Sequence, residues 1–292
     1  MEQQNIFDRG VAKVKSVVSE VSIEQREFVK SITRICHEGW LQGWHESNGG
    51  NLSYRMTPDE VASCRSYFSE APGEWIPLGI QAQGLQNEYF VVTSAGSQFR
   101  AALLEPSATL GIVEISPGGD TYRPVWGFKG GRRPTSEFAS HFMNHAVRKG
   151  VSGGTNRVIY HAHPANAIAL SAVLPGDSKV WSRVMWQSLT ESILALPEGI
   201  AVVSKAIPGT TETAEETSRL MEEYSSVVWA HHGVFCAAAD VDSAFGLMHI
   251  VDKAAAIYLK ACAACGGAKK LIVPNDDELN AIAKAFSVTL KL

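Results

Sequence analysis

No stretch of the 292 residues approaches the run of about 20 apolar side chains that a membrane-spanning helix needs. The opening residues, Met1 to Asn5, lack the basic and then apolar pattern of a secretory leader, so a cytoplasmic location and no membrane partner are expected. A basic excess is missing too. With 26 Lys and Arg against 30 Asp and Glu, the formal charge of -4 argues against a dedicated binder of nucleic acid or of an anionic surface, and Lys129 to Arg133 is only a local basic patch. Cysteine is scarce, and its five copies are odd in number and scattered, which fits reduced thiols better than a disulfide framework. Cys262 and Cys265 have C-x-x-C spacing but lie in an Ala-rich helical run with no second pair, so they read as helix packing. Neither a Gly-Lys-Ser/Thr phosphate loop nor G-x-G-x-x-G is present, and no internal repeat or low-complexity segment appears.

What the chain does have is 45% apolar residues, enough for a sizeable core. Ser22 to Gln25 reads as a capping box that starts a helix running to about Leu41. Asn51 to Arg55, Tyr89 to Thr93, Leu110 to Ile115 and Tyr122 to Trp126 read as strands, and residues 57 to 87 between the first two as an irregular insertion. Pro134 is expected to open a helix through Glu137, His141 and His145. Further on come a strand ending in His161 and His163, helices at Asn166 to Leu174 and Val180 to Gln187, and strands at Ser192 to Leu196 and Ile200 to Ser204. A helix at Glu212 to Tyr224, a strand from Val227, a long helix capped by Asp240 or Asp242 and ending at Gly266, and a terminal helix after Pro274 complete the chain. Strands mixed with helices throughout point to a layered α/β domain.

The chemistry concentrates in "VIYHAHPANA". Residues two apart share one face of a strand, so His161 and His163 can present their imidazoles to one cation. A third ligand has two possible sources. The apolar run "VVWAHHGVF" ends in His231 and His232, of which only one can face the first pair, and the local pattern does not say which. Glu137, His141 and His145 instead form an i, i+4, i+8 row on one helical face, which reads either as a metal stripe or as a solvated or interface stripe. Two loops, "SNGGNLS" and "TSAGS", can turn backbone N–H groups inward, and with "PTSE" at a helix start they would make a phosphate cradle that requires no lysine.

The blocks "LQGWHESNGGNLS", "FVVTSAGSQFR", "PTSEFASHF", "VIYHAHPANAIALS", "IPGT" and "HHGVF" follow one another from Leu41 to Phe235, with the helix "AFGLMHIVDKAA" beyond. In this the chain resembles the class II aldolase/adducin family. The resemblance implies a central, mostly antiparallel sheet flanked by helices in one domain over residues 1–292, with residues 1–21 as an N-terminal extension. It implies zinc-dependent cleavage of a sugar phosphate into dihydroxyacetone phosphate and an aldehyde, here L-lactaldehyde, by a homotetramer with one zinc per subunit. It makes His161, His163 and His232 the zinc ligands, and Glu137 an acid/base. Glu191 becomes a second glutamate that reaches a neighbouring subunit's site. Asn48, Gly50, Asn51, Ser94, Gly96, Thr135 and Ser136 fall where the family holds the phosphate and adjoining parts of the substrate, and His141 and His145 return to structural roles. The same scaffold carries fuculose-phosphate aldolases, epimerases and dehydratases. An adducin-like head would use it as a metal-free oligomerisation scaffold, a reading that the retained histidines and Glu137 disfavour.

Overall fold

The computed structural model describes residues 21–70 and 73–291, so the proposed N-terminal extension lies, Val21 apart, outside the described residues. Helix α1 (Glu27–Leu41) is followed by β1 (Asn51–Arg55), α2 (Pro58–Cys64), β2 (Ile76–Pro77), β3 (Tyr89–Thr93) and α3 (Pro106–Thr109). Then come β4 (Leu110–Ile115), β5 (Thr121–Gly127), α4 (Phe138–Val151), β6 (Val158–Ala162), α5 (Ala165–Leu170), α6 (Ser178–Ser188) and α7 (Thr190–Ala195). The rest is β7 (Ala201–Val203), α8 (Thr211–Leu220), β8 (Ser226–Trp229), β9 (Gly233–Ala238), α9 (Val241–Cys265) and α10 (Asp276–Ala285).

The nine strands form one sheet in the order β2-β5-β4-β3-β1-β6-β9-β8-β7. Every neighbouring pair is antiparallel except β7 with β8, which agrees with the mostly antiparallel sheet expected above. The sheet is covered on both faces because its strands alternate between two apolar sets. Leu52, Val91, Tyr160 and Val234 pack towards α1, α6 and α9, with Val29, Ile32, Trp181 and Met248 among their partners. Phe90, Val92 and Val113 pack with Phe138 and Phe142 of α4 on the other face, beside a cluster of Ile159, Phe235, Trp229 and Met221. Trp44, Trp181 and Trp229 are all at most 1% exposed, each removing an amount of apolar area from water that anchors its layer.

Four local expectations change. Ser192 to Leu196 is not a strand: Ser192 to Ala195 belong to α7 and Leu196 follows its end, and the buried Ile193 packs with Trp186 and Leu279. Residues 57 to 87 are not wholly irregular. Thr57 caps α2, Pro58 takes its first turn, and Thr57 N–H donates to the Glu60 carboxylate at 2.7 Å. The helix expected from Pro134 starts at Phe138, because the preceding segment is held in an extended bridge: Pro134 pairs with Ser94, and Thr135 N donates to Thr93 O at 3.0 Å. The capping box at Ser22 opens a single 3-10 turn, Ile23–Gln25, ahead of α1. Among the described residues no helix is long and apolar enough to cross a membrane.

Candidate metal centre

Antiparallel pairing assembles the site. Strand β1 begins where β3 and β6 end, and β9 begins where β6 ends, so Asn51 stands opposite His161 and Val234 opposite Ala162. The loops at that end of the sheet are residues 43–50, 94–97, 163–164 and 230–232. Facing parity does the rest: Asn51 and Ser53 on β1, and His161 on β6 with His163 just beyond it, lie on the face covered by α4.

His161, His163 and His232 bring their ligand nitrogens within 4.8 Å of one another. Nδ1 of the fully buried His161 donates to Val234 O at 3.0 Å, which leaves Nε2 as a lone pair, 3.2 Å from Nε2 of His232. Burial lowers the His161 pKa to about 3, against the pull of Glu137, so its ring is neutral at neutral pH. The Nδ1 of His163 lies 2.6 Å from Glu46 Oε1, and its backbone N–H donates to Trp44 O, so the loop before β1 orients this ring and frees its Nε2. Imidazole lone pairs that converge on one point repel unless a cation stands between them, and a set of three imidazoles suits a divalent transition-metal ion. No zincin-like helix is involved.

The open choice between His231 and His232 resolves through a turn, not through strand alternation. The run is a hairpin, with β8 ending at Trp229 and β9 starting at Gly233. His231 takes a left-handed conformation at φ 64°, which costs a residue with a Cβ about 1–2 kcal/mol, and its N–H donates to Ser171 Oγ at 2.8 Å. That turn sends His231 away and His232 inward. Gly233 is required behind them, since an added Cβ would press on the His161 and His163 rings at 2.9 Å.

Glu137, the N-cap of α4, is 7% exposed and sits beside the cluster, with its oxygens 3.6 Å from His161 Nε2 and 3.7 Å from His232 Nε2. Burial by itself would raise its pKa. Polar contacts, among them a 2.8 Å hydrogen bond from Asn51 Nδ2, outweigh that and hold the carboxyl well below the usual range, so it is ionised. His141 and His145 are neither a metal stripe nor a solvated one. Both are at most 1% exposed beneath Glu137, where burial lowers His141 to about 4 and keeps His145 well below its ordinary value.

The remaining expected residues fall into two groups. Ser94, Gly96, Thr135 and Ser136 come together through the Ser94–Pro134 bridge and the bond from Ala95 N to Arg133 O at 2.8 Å. Ser94 Oγ is buried and has no hydrogen-bond partner among the described residues, an orphan donor at this end of the sheet. Asn48 is exposed in the 43–50 loop, whose Gly50 has φ 75° and no room for a Cβ beside His45 and His161 O. Asn51 lies beside the cluster, where its oxygen accepts from His141 Nε2 and its nitrogen donates to Glu137. Glu191 is exposed on α7 and makes no hydrogen bond or ion pair with Glu137 or the three histidines among the described residues.

Sequence reasoning missed Glu46 and Arg132. Glu46 was legible only as the residue after His45, with nothing to link it to His163. Arg132 belongs to the noted basic patch, and one of its guanidinium nitrogens would lie 3.9 Å from a Cβ built at Gly96, so the cradle has a cation at its rim.

This fold and this histidine cluster are those of a metal-dependent aldolase scaffold, and the chain belongs to the class II aldolase family: residues 30–259 match the Class II Aldolase and Adducin N-terminal domain. It is 37% identical over 268 residues to the rhamnulose-1-phosphate aldolase of Escherichia coli strain K12, covering 92% of this chain and 96% of that one. Among solved structures it is similar to a sugar-phosphate aldolase from Thermotoga maritima, with a TM-score of 0.70 and 28% identity over 82% of this chain and 97% of the other. The fold is shared with an L-fuculose-1-phosphate aldolase from Thermus thermophilus, with a TM-score of 0.52 and 19% identity over 84% of this chain and 100% of that one.

Proposed function

We propose that the protein is a zinc-dependent lyase that cleaves L-rhamnulose 1-phosphate into dihydroxyacetone phosphate and L-lactaldehyde, as a cytoplasmic homotetramer with one zinc per subunit. The observation that carries this reading is the convergence of three histidines beside a buried glutamate, in a chain 37% identical to a rhamnulose-1-phosphate aldolase over nearly its whole length.

His161, His163 and His232 hold the ion. When bound, zinc supplies Lewis-acid stabilisation for the negative charge that develops on the substrate oxygens as the C3–C4 bond breaks. Glu137 handles the proton at C3: as a carboxylate it removes that proton from dihydroxyacetone phosphate in the direction of bond formation and returns it in cleavage. Glu191, contributed by a neighbouring copy, takes the proton of the C4 hydroxyl as the aldehyde forms. The electron pair of the broken C3–C4 bond stays on the dihydroxyacetone phosphate fragment, so no Schiff-base lysine is needed. Asn48, Gly50, Ser94, Gly96, Thr135 and Ser136 hold the phosphate and adjoining atoms, a role supported by the unpartnered Ser94 hydroxyl and by Arg132 at the rim.

The test is a cleavage assay of purified protein on L-rhamnulose 1-phosphate and L-fuculose 1-phosphate, with and without chelator. Preference for the first, loss with chelator and recovery with zinc are expected. Preference for the fuculose ester overturns the substrate assignment, and activity indifferent to chelator overturns the metal.

A further inference from the structure

Beneath Glu137 a chain of hydrogen bonds leads away from the metal centre through four buried residues on two elements. Asn51 Nδ2 donates to Glu137 Oε2 at 2.8 Å, and Asn51 Oδ1 bonds to His141 Nε2. Ser53 Oγ lies 2.6 Å from His141 Nδ1 and 2.8 Å from His145 Nε2. Asn51 is 6% exposed, His145 1%, and Ser53 and His141 0%.

The direction of every bond in this chain is determined. An amide oxygen can only accept, so His141 carries its hydrogen on Nε2 and its Nδ1 is the acceptor. Ser53 must then donate its single hydroxyl hydrogen to that Nδ1 and accept from Nε2–H of His145. Each donor points towards the Glu137 carboxylate, and the bond dipoles add in the sense that favours negative charge there. The far end is anchored among aromatic rings, with the centre of the His145 ring 5.0 Å from that of Phe90 and 6.1 Å from that of Phe142. Packing alone does not call for these residues. Apolar side chains at 53, 141 and 145 would fill the same volume without removing two imidazoles and a hydroxyl from water.

We propose that Ser53, His141 and His145, acting through Asn51, are positioning residues that fix the Glu137 carboxylate in one orientation for proton transfer at C3. Asn51 is thereby assigned to Glu137 and not to the phosphate. The proposal rests on the aldolase reading above for its chemistry, while the hydrogen-bond directions stand on geometry alone.

Ser53→Ala removes the link, Ser53→Thr retains the hydroxyl, and His145→Phe replaces the anchor by a ring of similar shape. Zinc-loaded variants would be compared with wild type for metal content, KM and kcat of cleavage, and exchange of the C3 proton of dihydroxyacetone phosphate with solvent. Ser53→Ala and His145→Phe should keep the metal and KM but lose about tenfold in both kcat and exchange, with Ser53→Thr recovering most of the loss. Wild-type kcat and exchange in Ser53→Ala, or an equal loss in Ser53→Thr, overturns the proposal. Neutron diffraction of the wild-type protein is the second measurement: deuterium on His141 Nε2 and His145 Nε2 supports the chain, and deuterium on His141 Nδ1 overturns it. A wild-type protein that neither cleaves nor exchanges overturns the aldolase reading, and the neutron result then still decides the chain.

Discussion

His231 and His232 are adjacent, equally able to bind a metal by composition, and separated in role by one backbone angle. The left-handed turn at His231 aims its ring at Ser171, with Nδ1 3.3 Å from Oγ, while His232 closes on His161. The metal assignment therefore makes a divided prediction. His232→Ala should lose most bound zinc by elemental analysis, whereas His231→Ala should keep about one ion per chain; equal retention in the two variants would show that the ligand set is wrong. The buried histidines also give stability a pH dependence. Burial lowers His45 and His161 to about 3 and His141 to about 4, against 6.5 in an exposed ring. Between those values the unfolded chain binds more protons than the folded one, so this contribution is fully present above about pH 6.5 and is lost as pH falls towards the folded pKa values. The thermal midpoint of the metal-free protein should be level above about pH 7 and drop steadily from about 6.5 to 5. A constant midpoint over that range would mean that these rings are not held neutral by burial.

At the scale of elements, the site is a set of strand ends and the loops that join them, so its parts are only as legible as the strands. Period-2 patterns and turn residues marked β1, β3, β4, β5 and β6 within a residue or two, and His-x-His at the end of β6 pointed to a metal before any fold was known. The helix Thr190–Ala195 reads as a strand in the sequence because a short apolar run has no distinguishing period, and burial of Ile193 and Leu196 against other helices decides it. The start of α4 was misplaced because a bridge to Ser94, 40 residues earlier in the chain, outweighs a local proline signal. What stayed hidden was every contact between distant elements. His141 meets Asn51 across 90 residues and His163 meets Glu46 across 117, and no local pattern encodes either pairing. The loop cradle is where an element-level prediction applies. Ser94 has a buried hydroxyl with no partner among the described residues, so Ser94→Ala removes little from the fold and, if the cradle holds the phosphate as proposed, one hydrogen bond from it. KM for the sugar phosphate should rise about tenfold with kcat and zinc content unchanged, because the phosphate does not react. An unchanged KM would move the phosphate elsewhere.

For the molecule as a whole, the question is whether one chain contains a complete site. Glu137 is built into it, buried and bonded to Asn51, whereas Glu191 is exposed on α7, whose packing partners are the helices α6, α9 and α10. If both glutamates serve one reaction and the second comes from another copy, closed ring symmetry would give every site one glutamate from each of two neighbours. That arrangement has a consequence that no single-chain site shares. Glu137→Gln should keep its zinc and its assembly, yet lose about 10²-fold or more in both cleavage and exchange of the C3 proton of dihydroxyacetone phosphate. Glu191→Gln should slow cleavage while leaving that exchange comparatively fast, since exchange does not involve the aldehyde. When the two inactive variants are co-expressed and assemble at random, about a quarter of the sites pair an intact Glu137 with an intact Glu191 from the next copy. Cleavage should therefore return to about a quarter of the wild-type rate per site in the mixed assemblies, and to nothing comparable when the separately purified variants are combined without subunit exchange. Mixed assemblies no more active than the better parent would place both glutamates on one chain or remove Glu191 from the chemistry, and wild-type exchange in Glu137→Gln would remove Glu137 from it as well.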